Sequence, residues 1–253
     1  MDFSNQTALV TGASRNIGEA IAVSIAEAGG DVGVTSKSDE RACRATADRI
    51  EAAGGDATVV CGDLGEPDDI ERIVRTVREE LGSIDILVNN ATVRPRKPFL
   101  EVDEDDLDTV LETNVKGTFL TTQHVVPEMI AAGGGSIVNL IGAMVYLGRT
   151  GKSHSYASKL GIEGQVRQLA SELGPEGIRV NAVSPGLIDT DRDEPIDGKD
   201  DLLESIPLQR AGDPAEVADA CCFLASDQAS FITGQVLHVN GGIYPTPNVI
   251  SPE

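Results

Sequence analysis

Seven short apolar runs, each closing on a turn, alternate with stretches of helical periodicity along this chain. The runs are TALVTG, DVGVTS, ATVVCGDL, DILVNNA, GSIVNLIG, IRVNAVSPG and GQVLHVNGG. Between them lie amphipathic segments such as IGEAIAVSIAEAGG, DIERIVRTVREELG and EVADACCFLASD. Strands apolar on both faces and separated by helices assemble as a parallel sheet covered on both sides, because a parallel connection needs a crossover. The alternation predicts a doubly wound α/β fold of Rossmann type with about seven parallel strands. No repeat, linker or composition break interrupts the 253 residues, so one domain over 1–253 is expected. One stretch departs from the pattern. LIDTDRDEPIDGKDDLLESIPLQR (187–210) is polar, acidic and rich in turn formers. A connection that long is either a lid over a site or a disordered excursion.

Several function classes are excluded early. No run of about 18 apolar residues exists to span a membrane. The opening MDFSNQTALVTG enters a strand at once, leaving no room for a signal peptide, so a cytoplasmic protein is expected. Cys43, Cys61, Cys221 and Cys222 match no zinc spacing, and adjacent cysteines in an apolar run read as core. The formal net charge is −21, from 41 acids and 20 bases. Such a surface repels nucleic acid and anionic membranes, which leaves a small molecule as the expected partner. The excess of acid serves ordinary solubility or adaptation to high salt, where screening suppresses self-repulsion; the second is preferred.

The first run leads into TGASRNIGEA (11–20), a glycine-rich loop between a strand and a helix. Gly12 allows the tight turn and Gly18 the close approach of helix to sheet. The backbone of Ser14, Arg15, Asn16 and Ile17 then offers N–H groups to a pyrophosphate. Asn16 stands between the two glycines of the loop. Asn tolerates a left-handed backbone, although its side chain threatens to crowd a phosphate. The second run ends in Thr35-Ser36-Lys37, without the carboxylate that binds a ribose 2′-hydroxyl. Lys37 and Arg15, with the Ser36 hydroxyl, suit a 2′-phosphate instead, so NADP(H) is expected over NAD(H). The plainer alternative makes Lys37 a solvated surface base. Asp63, with Leu64 beside it, ends the third run, where it can cap the following helix.

These motifs occur in order with NNA (89–91), Asn114 in ETNVKGTF, SHSYASKLGIEG (153–164), IRVNAVSPGLIDT (178–190) and the segment 207–242. Together they resemble the short-chain dehydrogenase/reductase family, in the branch of 3-oxoacyl-carrier-protein reductases and related sugar and alcohol dehydrogenases. The likeness covers residues 4–244. It implies hydride transfer between a nicotinamide and a carbonyl/alcohol pair, 3-oxoacyl thioesters among them. It places Asp63 at the adenine, Asn90 and Ala91 along the cofactor, and Lys159 at the nicotinamide ribose. Pro185, Gly186, Ile188 and Thr190 match the stretch that holds the nicotinamide amide. A homotetramer is implied, with a dimer as the alternative. Thr92 replaces the glycine of NNAG, and VNGG replaces VDGG.

The active-site helix departs further. Relatives carry Tyr four residues before Lys; here Ser155 precedes Lys159 by four and Tyr156 comes one place late. The family Ser, thirteen residues before its Tyr, falls on Gly142. Asn114 and Lys159 match. Gly148 and Gly151 upstream and the spacing downstream pin the register, so this is substitution and not slippage. One helical step turns a side chain by about 100°, which moves a phenol hydroxyl by on the order of 10 Å. Proton transfer needs about 2.6–3.2 Å. Tyr156 therefore serves only if the first helical turn is distorted. Ser155 with Lys159 also resembles dienoyl-thioester reductases that draw a Tyr from upstream, and Tyr146 is the candidate there, unless it simply packs beside the pocket. His154 is a third candidate acid. The last alternative is a dinucleotide-binding relative without turnover, acting as a sensor or structural subunit.

Overall fold

A computed structural model describes residues 1–191 and 198–245. Every predicted apolar run forms a strand: β1 (Thr7–Thr11), β2 (Asp31–Thr35), β3 (Ala57–Val59), β4 (Ile84–Asn89), β5 (Gly135–Leu140), β6 (Ile178–Pro185) and β7 (Val236–Val239). All pair in parallel, in the order β3-β2-β1-β4-β5-β6-β7. The chain starts mid-sheet, winds to one edge, then returns past β1 to build the other half. Connections leave β1 and β4 in opposite directions, and this reversal opens a crevice at their carboxyl ends.

The described helices are α1 (Asn16–Glu27), α2 (Glu40–Ala53), α3 (Pro67–Leu81), α4 (Glu104–Leu111), α5 (Gly117–Ala132), α6 (Met144–Leu147), α7 (Ser153–Leu173), α8 (Lys199–Glu204) and α9 (Pro214–Ala225). Residues of α1, α2 and α9 pack on one face of the sheet, those of α3, α5 and α7 on the other. β1 shows why its sequence is apolar throughout. Ala8 and Val10 face the first layer and Leu9 the second, all fully buried. Cys43, Cys221 and Cys222 are buried in the first layer, as the apolar context suggested. The start of α9 is set by Asp213 and Glu216, which close a capping box.

Part of the expected lid falls outside the described residues, at 192–197, as does the end of the chain at 246–253. The rest of 187–210 is anchored. Ile188 bridges to Gly212, the Asp189 N–H donates to the Gly212 carbonyl at 2.8 Å, and α8 lies within the excursion. No helix among the described residues is long and apolar enough to cross a membrane.

Candidate active site

The glycine loop is held by close contacts. A Cβ at Gly12 (φ +65°) would lie 2.8 Å from Ala91 Cα, and one at Gly18 would lie 2.1 Å from the Gly12 carbonyl oxygen. Asn90 Nδ2 donates to the carbonyls of Thr11 (3.0 Å) and Gly12 (2.9 Å). Thr11 Oγ1 accepts the N–H groups of Asn90 and Ala91. Asn90 and Ala91 thus brace the turn that Ser14 and Ile17 belong to. Arg15 is the extended N-cap of α1 and supplies no side-chain cap, so the first-turn N–H groups remain available to an anion. Asn16 has the left-handed backbone the sequence suggested, φ +57°. Its side chain is engaged elsewhere: Nδ2 donates to the Asp191 carbonyl at 3.0 Å, and Oδ1 accepts the Asp191 N–H at 2.9 Å.

At the end of β2, two residues that the sequence presented separately meet. Lys37 Nζ lies 2.5 Å from Asp63 Oδ2, while Asp63 Oδ1 accepts the Gly65 N–H. The hydrogen bond to Asp63 raises the Lys37 pKa. Partial burial pushes Asp63 up, but Lys37 and the Gly65 N–H outweigh it and the net direction is down. The helix-cap alternative for Asp63 does not hold, because Glu66 is the N-cap of α3. The nearby Asp39 accepts the Ala42 N–H and caps α2. The Ser36 hydroxyl accepts from the Asp39 N–H and the Cys43 thiol. Leu64 packs under α5, its carbonyl 2.5 Å from where a Gly117 Cβ would stand.

Asn114 sits in a widened five-residue turn, Glu112–Lys116, between α4 and α5. It is wholly buried. Its Oδ1 accepts the Thr92 hydroxyl (3.1 Å) and the Val93 N–H (2.9 Å); its Nδ2 donates to the Val93 carbonyl and to Ser158 Oγ, both at 2.9 Å. Lys159 is 3% exposed and donates to the Leu140 carbonyl at 2.7 Å. Burial, with the charge of Arg94 adding to it, pulls its pKa down to about 7.

Ser155 does not face the pocket with an idle hydroxyl. It is buried and donates to the Pro95 carbonyl at 3.3 Å. The first turn of α7 is regular, with the Tyr156 N–H on the Lys152 carbonyl at 2.8 Å, so Tyr156 stays one step round from Ser155. Burial raises its pKa against the opposing charges of Arg149 and Arg94. Tyr146, the upstream candidate donor, lies on the short helix α6. Its hydroxyl donates to Glu163 Oε2 at 2.6 Å, and its ring stacks on Tyr244 at 4.5 Å and meets His238 edge-on at 5.4 Å. Burial and then Glu163 push its pKa up. The His154 ring is buried and neither nitrogen has a hydrogen-bond partner. At Gly142, φ +130°, an added Cβ would meet nothing within 4 Å.

Pro185 closes β6 and its carbonyl accepts the Ala143 N–H at 2.7 Å. The Gly186 N–H donates to the Val239 carbonyl, and a Gly186 Cβ would lie 2.7 Å from Asn240 Cα. Ile188 is buried and Thr190 half-buried, on the same edge of the sheet as the glycine loop. Sequence reasoning missed Arg94 and Ser158. The run RPRK (94–97), basic in so acidic a chain, was the available signal for the first.

A family profile described as Enoyl-(Acyl carrier protein) reductase matches residues 12–244. A 3-oxoacyl-[acyl-carrier-protein] reductase of Staphylococcus epidermidis is 39% identical over 242 residues, 95% of this chain and 99% of the relative. Its namesake in Escherichia coli is 36% identical over 246 residues, 96% and 99% of the two chains. A solved short-chain type dehydrogenase/reductase from Mycobacterium marinum superposes with TM-score 0.90 at 35% identity, covering 96% of this chain and 97% of its own.

Proposed function

The chain belongs to the short-chain dehydrogenase/reductase family, and from that premise we propose that it is an NADP(H)-dependent oxidoreductase for a carbonyl/alcohol pair, 3-oxoacyl compounds included. The observation that carries the reading is a buried lysine amine, Lys159, which has no carboxylate partner among the described residues and donates to the Leu140 carbonyl at the end of β5.

The residues present fit a dinucleotide. The uncapped α1 N-terminus and the Gly12–Gly18 loop suit its pyrophosphate, with Asn90 and Ala91 behind them. Asp63 and Leu64 flank the adenine end. Exposed Lys37, with Ser36 and Arg15, favours a 2′-phosphate, since neither residue that follows β2, Ser36 or Lys37, is a carboxylate, and Lys37 would exchange its ion pair with Asp63 for the phosphate. Lys159, Pro185, Gly186, Ile188 and Thr190 line the nicotinamide end. When bound, the coenzyme supplies the hydride.

The proton comes from Lys159. The Ser155 hydroxyl is spent on Pro95, the Tyr146 hydroxyl on Glu163, and the phenol of Tyr156 is raised by burial. An amine whose pKa burial pulls down to about 7 is about half protonated at neutral pH and gives the proton up readily, which suits a general acid. Its Nζ gives the proton to the substrate oxygen and is left neutral. Ser158 and Asn114, joined at 2.9 Å, steady the helix turn that carries it.

We further place the enzyme in the cytoplasm as a homotetramer. Leu107 and Leu111 on α4, Phe119 on α5 and Leu160 on α7 expose apolar side chains in support of that assembly, and light scattering tests it. For the reaction, NADPH binding is followed by its own fluorescence, and reduction of acetoacetyl-CoA is measured against pH. NADPH should bind more tightly than NADH, and kcat should fall as pH rises past about 7. Lys159→Met should lower kcat by about 10²–10⁴-fold. A Lys159→Met protein that reduces ketones at the parent rate rejects Lys159 as donor; absence of NADPH binding rejects the oxidoreductase.

A further inference from the structure

The Ser36 hydroxyl stands between two sulfurs. It accepts the Cys43 S–H at 3.2 Å and the Asp39 N–H at 3.1 Å, which leaves its own proton for Cys61 Sγ, 3.8 Å away. The three residues come from three places in the chain. Ser36 follows β2, Cys61 follows β3, and Cys43 lies in the first turn of α2. Backbone bonds hold these segments against one another. The Gly62 N–H donates to the Ser36 carbonyl at 2.9 Å, and the Cys43 N–H to the Asp39 carbonyl at 3.1 Å. Arg72 donates to the Cys61 carbonyl at 2.9 Å. Both sulfurs are thus kept against one oxygen.

The two thiols differ in access. Cys43 is wholly buried, and burial pushes its pKa up to about 11. Cys61 keeps solvent-accessible surface. An oxidant from solution therefore meets Cys61 first, and Cys43 waits behind it as a neutral thiol. The other two cysteines, Cys221 and Cys222, are buried in α9 and offer no exposed sulfur. Position matters as much as pairing. Ser36 and Lys37 are the residues offered to a 2′-phosphate, and Lys37 pairs with Asp63, two residues beyond Cys61.

We propose that Cys61 and Cys43 form an oxidative modification site, which a peroxide converts to a disulfide beneath the 2′-phosphate subsite. The link to the coenzyme rests on the NADP(H) reading above; the bond itself does not. The Cys61 sulfur attacks the O–O bond of hydrogen peroxide, keeps one oxygen as a sulfenic acid and releases the other as water. The Cys43 sulfur then attacks the Cys61 sulfur. Its proton passes to Ser36 Oγ, the Ser36 proton passes to the departing hydroxyl, the S–O bond breaks and a second water leaves. Two thiols are oxidised and one peroxide is reduced. Ser36 thereby loses the thiol that donates to it and the sulfur it donates to, and its hydroxyl no longer keeps the direction that suits a phosphate.

The test treats the full chain with one equivalent of hydrogen peroxide, blocks the remaining thiols and maps peptides without reduction. The Cys43 and Cys61 peptides should be joined. NADPH, followed by its own fluorescence, should bind about tenfold more weakly, and NADH within about twofold of the reduced protein, since only NADPH carries the 2′-phosphate. Dithiothreitol should restore NADPH binding. Cys61→Ser and Cys43→Ala should each bind NADPH as the parent does and keep that affinity after peroxide. A Cys61 that ends as a sulfinic acid with Cys43 still free overturns the pairing. A joined pair with unchanged NADPH affinity, or an equal loss for NADH, overturns the link to the 2′-phosphate. If the reduced protein binds neither coenzyme, the oxidoreductase reading fails, and the peptide map alone decides for or against the modification site.

Discussion

Asn16 grips the backbone of Asp191 from both sides, donating to its carbonyl at 3.0 Å and accepting its N–H at 2.9 Å. The pair ties the glycine loop to the chain just beyond the Ile188 bridge, and any phosphate at the α1 N-terminus lies next to that tie. Asn16→Gly keeps the left-handed turn and removes both bonds. Coenzyme dissociation, followed by stopped-flow displacement of NADPH, should accelerate by about tenfold, the equivalent of losing roughly one net hydrogen bond. An unchanged off-rate would mean that the tie plays no part in coenzyme exchange.

Lys159 also predicts a pH dependence of stability. Its folded pKa of about 7 lies below the ordinary 10.5, so the unfolded chain binds more protons between those values. Stability from this group is therefore fully present above the unfolded pKa and lost as pH falls through about 7. Denaturant titrations should show the wild type gaining on Lys159→Met as pH rises from neutral toward 10.5. Parallel curves would mean that the amine is not desolvated.

Gly142 has room for a side chain but not the backbone for one, since φ is +130°. Both Gly142→Ala and Gly142→Ser should lose about 1–2 kcal/mol in calorimetry, and by similar amounts, because the cost is conformational. A Ser variant as stable as the parent would mean that the loop relaxes freely and that the family hydroxyl is one substitution away.

Tyr146→Phe removes the donor to buried Glu163, which still pairs with Arg167. Stability should fall by about 1 kcal/mol. Ketone reduction should stay within about twofold of the parent. A large loss of kcat with unchanged folding would return Tyr146 to the chemistry.

The sheet was legible because every strand is apolar on both faces and every crossover is helical; β1, with Ala8, Leu9 and Val10 split between the two layers, shows the rule at its plainest. Gly12 and Gly18 were legible because their contacts leave no volume for a Cβ. What stayed hidden depends on partners remote in sequence. Nothing near Ser155 announces Pro95, nothing near Asn16 announces Asp191, and Lys37 and Asp63 read as separate cofactor contacts until the fold brought them to 2.5 Å. The surroundings of Tyr146 were hidden too, because the short helix α6 turns its ring toward His238 and Tyr244, a direction that residue spacing does not encode.

The wide turn at Glu112–Lys116, where the Gly117 N–H reaches back to the Glu112 carbonyl, makes the aim of Asn114 a matter of chain length. Such a turn holds one residue more than an α-helical turn. Excising any single residue there would leave two good helices and swing the amide off Val93 by about a quarter revolution. Shortening by one should therefore be felt in the geometry of the 93–95 loop more than in helix content, and the site tolerates a changed side chain in this stretch better than a missing one.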